Sequence, residues 1–264
     1  MIKLVLKNRA KVAQFTTIFM LLKACSEMVC IVIMADHVHI QVMDKSHICL
    51  CECRLFFTWF DNADEDKLGE TVSASFVFSS GIFHTILNSI GEQTLIMEFE
   101  EGEDVFKVSA IYDTPTKENI NKYYTLPLVD KEHEVMNIPE TEYNVEFTIG
   151  AKTIIDIFAQ MMLFGATIRV QCDEDTMKIC SSEGSNGEMR VDINTDDFEE
   201  FAIDEGLELE LNYSLTHLMK YCLTTKLVPT IQFCISTTAP MKVSYNLEEA
   251  KAIVQFFIAA KVHD

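Results

Sequence analysis

Met136-Asn137-Ile138-Pro139-Glu140-Thr141-Glu142-Tyr143 closes an acidic stretch that opens near Asp130. Asp130, Glu132, Glu134, Glu140 and Glu142, with Pro139 among them, give it the composition of a solvated connector. Segments of similar design lie on both sides of it. That arrangement predicts a duplicated binding protein in preference to an enzyme.

Upstream, Phe15, Ile18, Phe19 and Leu22 follow the i, i+3, i+4, i+7 spacing of a helix with one buried stripe, from about Lys11 to Ala24. Strands are expected at Val38–Val42, within Ile48–Phe57 and at Thr71–Phe78. A helix follows from Ser80 to Ile90, then strands at Thr94–Phe99, Val105–Tyr112 and Tyr123–Leu128. Downstream of the connector the order recurs. A strand at Asn144–Ile149 and a helix at Lys152–Phe164 precede strands at Thr167–Cys172, Met177–Cys180, Glu188–Ile193 and Leu207–Leu211. A helix at Ser214–Thr224 and strands at Thr230–Ser236, Met241–Asn246 and Val254–Ile258 complete it. Each half thus reads as two strand-helix-strand units, a duplication within a duplication. The fold class is α+β, with helices packed on one face of antiparallel sheets. The expected division is a domain over 1–129, a connector over 130–142 and a second domain over 143–264.

At 264 residues, 48% hydrophobic and 23% charged, the chain can bury one large core or two ordinary ones. A formal charge of -20 excludes a surface that binds nucleic acid everywhere, since each phosphate contact needs a local cation. The nine cysteines lack the paired spacing of a secreted scaffold and read as reduced thiols, which places the chain in the cytosol or nucleus. Lys3, Lys7, Arg9 and Lys11 before the apolar stretch Val12–Leu22 imitate a signal peptide, but Lys23 stands where small cleavage-site residues belong. Val29–Ala35 is too short to span a bilayer, so no membrane anchor is expected.

His47-x-Cys49-x-Cys51-x-Cys53 has the residue types of a zinc site. On a strand, however, alternate residues lie nearly ~7 Å apart, too far for ligands that must each approach one ion to about 2.3 Å. Buried thiols are the better reading, and no metal or cofactor is expected. His37 and His39 are taken as surface residues. Glu98, Glu100, Glu101, Glu103 and Asp104 read as a solvated turn between strands. Neither a phosphate loop nor a nucleophile–base pair is present in the sequence.

Three segments carry a resemblance. Gln41-Val42-Met43-Asp44-Lys45-Ser46-His47-Ile48, Ile138-Pro139-Glu140-Thr141-Glu142-Tyr143 and Phe256-Phe257-Ile258-Ala259-Ala260-Lys261-Val262 resemble the proliferating cell nuclear antigen (PCNA) sliding clamps in type, order and spacing. The resemblance implies the DNA clamp fold, a homotrimeric ring whose helices line a channel for double-stranded DNA and whose sheets form the outer wall. It implies a processivity factor for a DNA polymerase, loaded by a separate ATP-dependent clamp loader, with no catalytic residues of its own. It also implies a pocket for peptides of the form Gln-x-x-aliphatic-x-x-aromatic-aromatic, at Met43, Ile48, Leu50, Met136, Ile138, Pro240, Phe257 and Ala259. By residue type alone these eight read as core. Ala260 stands where the family has proline, which predicts a looser tail.

The resemblance places channel cations at Arg9, Lys11, Lys23, Lys152, Lys220 and Lys226, a thin lining further diluted by Asp156. Subunit edges fall at Tyr123, Tyr124, Leu126 and Leu128, and at Glu188, Met189, Val191 and Ile193. Pro127 has no N–H and suits an edge only where its nitrogen faces away from a bonding partner. An accessory clamp-like scaffold, or one subunit of a hetero-oligomer, is the alternative.

Overall fold

A computed structural model describes residues 2–63, 74–100, 102–130, 135–182, 185 and 187–261. The expectations for Thr71–Ser73, Glu101, connector residues 131–134 and Val262 lie outside the described residues. The chain forms two compact units. The first comprises Met1–Lys45, Glu52–Met136 and Asn246–Val254, the second Ser46–Cys51, Asn137–Tyr245 and Gln255–Asp264.

The first unit begins with β1 (Ile2–Leu6), α1 (Arg9–Cys25), β2 (Met28–Ile33) and β3 (His37–Met43), then takes most of β4 (Cys49–Phe56). β5 (Asn62–Ala63), β6 (Ala74–Ser79), α2 (Ser80–Asn88), β7 (Thr94–Phe99), β8 (Val105–Ile111) and β9 (Lys122–Pro127) follow. A five-stranded sheet has the order β5-β1-β7-β8-β9, antiparallel throughout. β3, β2 and β6 make a second antiparallel set. α1 and α2 pack side by side, α1 against β1, β2 and β3 and α2 against β2 and β6.

That lateral packing explains the apolarity of α1. Thr17 and Leu21 are buried along with Val12, Phe15, Ile18, Phe19 and Leu22, so the buried surface is wider than the single stripe expected. The signal-like stretch is a core helix. Asn8 caps it by accepting the Ala10 N–H at 2.8 Å, and the Asp61 carboxylate accepts the N–H groups of Lys7 and Asn8. Beneath the helices, Phe83 stands edge-on to Phe19 (4.6 Å) and Phe78 (5.2 Å), with Phe15 and Phe106 around it.

The second unit contains β10 (Val145–Gly150), α3 (Ala151–Met161), β11 (Thr167–Cys172), β12 (Thr176–Ser182), β13 (Glu188–Asn194), β14 (Glu200–Ile203) and β15 (Leu209–Ser214). α4 (Leu215–His217), β16 (Thr230–Ile235), most of β17 (Met241–Leu247) and the end of β18 (Ala252–Ile258) complete it. Its antiparallel sets are β14-β10-β16-β17 and the four-stranded β13-β12-β11-β15. Phe147 stacks on Phe233 at 5.0 Å, and Ile154, Phe158 and Met161 of α3 are buried.

Two expectations differ here. The helix expected over Ser214–Thr224 is one α turn that continues as a π-helical turn, Leu218–Cys222. Its end is fixed by the buried Tyr245 hydroxyl, which donates to Cys222 O (2.7 Å) and accepts the Thr224 N–H (3.0 Å). The strand expected at Leu207–Leu211 runs Leu209–Ser214, and β14 was not foreseen because Glu199 and Glu200 mask a short apolar alternation.

Between β17 and β18 three consecutive non-glycine residues are left-handed: Glu248, Glu249 and Ala250, with φ of 47°, 57° and 66°. Each costs about 1–2 kcal/mol from contact between Cβ and carbonyl oxygen. Ala250→Gly removes that contact at an exposed site while adding about 0.5–1 kcal/mol of chain entropy to the unfolded state. Thermal unfolding should show a midpoint raised by about 1–3 °C; a lowered midpoint would contradict the assigned strain.

Candidate functional site

The expected docking residues are not core. Met43, Ile48, Leu50, Ile138 and Phe257 are half-buried, and Met136, Pro240 and Ala259 are exposed. Met43 and Met136 belong to the first unit and the other six to the second. Within the second, β4 and β18 are neighbours, and the Ala259 N–H donates to Ile48 O at 3.1 Å, which sets Leu50 opposite Phe257. Strict alternation does the rest. Cys49, Cys51, Phe256 and Ile258 point inward and are buried, which leaves Ile48, Leu50, Phe257 and Ala259 on the outward side.

The loop before Ile48 is held by a chain of contacts: Ser46 Oγ to His217 Nε2 at 3.0 Å, and His217 Nδ1 to Ser214 Oγ at 2.7 Å. Beyond Ala259, the Lys261 N–H donates to Asn212 O (2.8 Å) and its ammonium to Thr167 Oγ1 (2.6 Å).

In the first unit the buried Gln41 side chain grips the connector. Its Oε1 accepts the Met136 N–H at 2.7 Å and its Nε2 donates to Met136 O at 3.0 Å. The amide thus replaces a missing strand partner. Gln41 lay in a quoted motif, but nothing in its spacing disclosed this role.

Among the cations, Lys11 departs from the expectation. Its ammonium donates to Trp59 O at 2.6 Å and pairs with Glu248 (3.2 Å) and Asp61 (3.7 Å), and its side chain is 12% exposed. It is committed to holding α1 against two turns. Arg9 is exposed but paired with Glu92 at 3.3 Å. Lys23 is exposed at the end of α1, and burial together with its charge lowers the pKa of His84 on α2. Lys152 opens α3 and is exposed beside Thr153, Asp156, Ala159 and Gln160. Lys220 lies over the Tyr221 ring at 4.7 Å, and Lys226 is exposed. Lys122, not anticipated because it sits on a strand, donates to Ser89 O at the end of α2 (3.2 Å).

β9 and β13 are edges of their sheets. The Leu128 N–H donates to Asp104 O, so Leu128, Leu126 and Tyr124 direct their backbone groups to β8 while Tyr123, Thr125 and Pro127 direct theirs to the open side. The nitrogen of Pro127 therefore faces away from β8 and the sheet loses no bond. The open side offers N–H groups at Tyr123 and Thr125 but none at Pro127. On β13, the Thr195 N–H bonds to Asp175 O. Met189, Val191 and Ile193 therefore turn inward to β12, and Glu188, Arg190, Asp192 and Asn194 outward. The Tyr123 side chain is 72% exposed.

Cys49, Cys51 and Cys53 are buried thiols, and among the described residues no His/Cys/Asp/Glu cluster is arranged to hold a metal. His39 corrects the surface reading: it is buried, with Nε2 3.0 Å from Glu52 Oε1, and Glu52 also pairs with Arg54. Burial opposes the Glu52 charge, but these partners prevail and hold its pKa below the usual range. Among the described residues of the acidic run, the Glu103 N–H bonds to Glu100 O and Gly102 has φ of 86°. Among the described residues, no helix is long and apolar enough to cross a membrane.

Residues 137–262 match the family of the proliferating cell nuclear antigen C-terminal domain. The proliferating cell nuclear antigen of Chaetomium thermophilum is 24% identical over 232 residues, 85% of each chain. A crystal structure of PCNA from Thermococcus kodakaraensis matches with a TM-score of 0.84 at 16% identity, over 99% of this chain and 100% of that one. That likeness shows the fold.

Proposed function

We propose that this chain, which resembles the PCNA family of DNA sliding clamps, is a homotrimeric clamp that encircles double-stranded DNA and serves as a polymerase processivity factor. Each protomer carries two clamp domains, 1–129 and 143–264, joined by the connector. The observation that carries the reading is the pair of open edges, β9 in one unit and β13 in the other. Joining such edges head to tail satisfies their backbone groups and closes a ring. The outward apolar residues Ile48, Leu50, Ile138, Pro240, Phe257 and Ala259 of the second unit would dock partner peptides of the Gln-x-x-aliphatic-x-x-aromatic-aromatic form. Arg9, Lys23, Lys152, Lys220, Lys226 and Lys122 would meet phosphates without reading sequence. The protein acts as a scaffold, not an enzyme, at the site of replication or repair, and depends on an ATP-driven loader.

Tethering raises the local concentration of a polymerase that has let go of DNA. Stimulation should therefore be large on circular templates and lost on short linear DNA with free ends, and solution mass should correspond to three chains. A monomer at micromolar concentration that stimulates both templates equally would overturn the proposal. The commitment of Lys11 and the Arg9–Glu92 pair favour a second reading, an accessory scaffold or hetero-oligomer subunit that binds peptides without efficiently encircling DNA. Peptide binding without topological dependence would select it.

A further inference from the structure

We infer that Cys49 and Cys222 form a modification site at which peroxides install an intramolecular disulfide. Both cysteines lie in the second unit, both are fully buried, and their sulfurs are 3.7 Å apart. A disulfide needs about 2.05 Å, so each sulfur must travel less than about 1 Å, within reach of small side-chain rotations. The two backbones are already pinned. Cys49 follows Ile48, whose carbonyl accepts the Ala259 N–H, and Cys222 ends the π-helical turn, where its carbonyl accepts the Tyr245 hydroxyl. Single π-helical turns recur at functional sites, and local opening of this one would admit a small oxidant.

The chemistry balances with one peroxide. One thiolate attacks a peroxide oxygen; the O–O bond breaks, water leaves after protonation, and that cysteine becomes a sulfenic acid. The second thiol attacks the oxidised sulfur, the S–S bond forms, the S–O bond breaks and a second water departs. Both sulfurs are oxidised and the peroxide is reduced to two waters. Burial favours the internal step, because bulky external thiols cannot reach the sulfenic acid before its neighbour does. The bond would tie β4 to the π-helical turn on the inner side of the strand whose outer side carries Ile48 and Leu50.

The test treats the full chain with hydrogen peroxide at a dose that converts exposed Met136 to its sulfoxide, followed by peptide mapping without reductant. A linked pair of peptides containing Cys49 and Cys222 is expected, absent in Cys222→Ser and reversed by dithiothreitol. Amide exchange over 218–222 and 48–50 should slow by about tenfold in the oxidised protein, since local opening is restrained. Should Cys222→Ser fail to fold, Cys49→Ser supplies the same control. Sulfoxide at Met136 with no Cys49–Cys222 link, or with either cysteine linked elsewhere, would overturn the inference.

Discussion

Ile138→Asp lowers the affinity for a Gln-x-x-aliphatic-x-x-aromatic-aromatic peptide by at least about a hundredfold, or about 2.7 kcal/mol. Micromolar binding corresponds to about -8 kcal/mol, so the variant would fall to the edge of detection by calorimetry. The magnitude follows from desolvation. An apolar plug covering a carboxylate removes its water without returning a hydrogen bond, at a cost of several kcal/mol. Ile138 is only half-buried in the unoccupied protein, so the substitution spares the fold. Its neighbour two positions back is independently anchored by Gln41, which keeps the connector in place. Unchanged heat and affinity in the variant would remove Ile138 from the docking surface.

Phe83→Ala destabilises the first unit by about 4 kcal/mol, the middle of the range for a large core aromatic cut to a methyl. Phe83 is fully buried, with ring centres of Phe15, Phe19, Phe78 and Phe106 within 6.1 Å, so several neighbours would have to shift together to refill the space. A midpoint lower by about 10 °C is expected, confined to the transition of that unit if the two unfold separately. Phe83→Leu should recover more than half of the loss. An Ala variant as stable as the wild type would mean that the aromatic cluster contributes little.

Periodicity located α1, α2 and α3 to within a few residues because each carries an apolar stripe at helical spacing. It failed at Ser214–Thr224, where the apolar pattern is helical but the hydrogen-bond class depends on Tyr245, a residue distant in sequence. Lys11 shows the same limit. Its charge is visible in the sequence, while the Trp59 carbonyl and the Glu248 carboxylate that capture it are brought there by the fold. The proposed docking set rests on family likeness, because half-buried and fully buried aliphatic residues look alike in a list of letters. His39 inverted the usual rule: a histidine on a strand near a turn is buried, with its Nε2 in hydrogen-bond contact with the Glu52 carboxylate that also pairs with Arg54.

Pro127 gives the open side of β9 a gap in its row of donors. A strand laid along that side and reaching Pro127 would leave one of its carbonyls unanswered opposite the proline. Only a neighbour that needs no donor at that point, such as one whose own strand stops or bends there, fits without loss. The missing N–H therefore works as a filter on length and register: it discourages open-ended stacking of strands into fibres and favours a partner whose edge ends where this one falls silent.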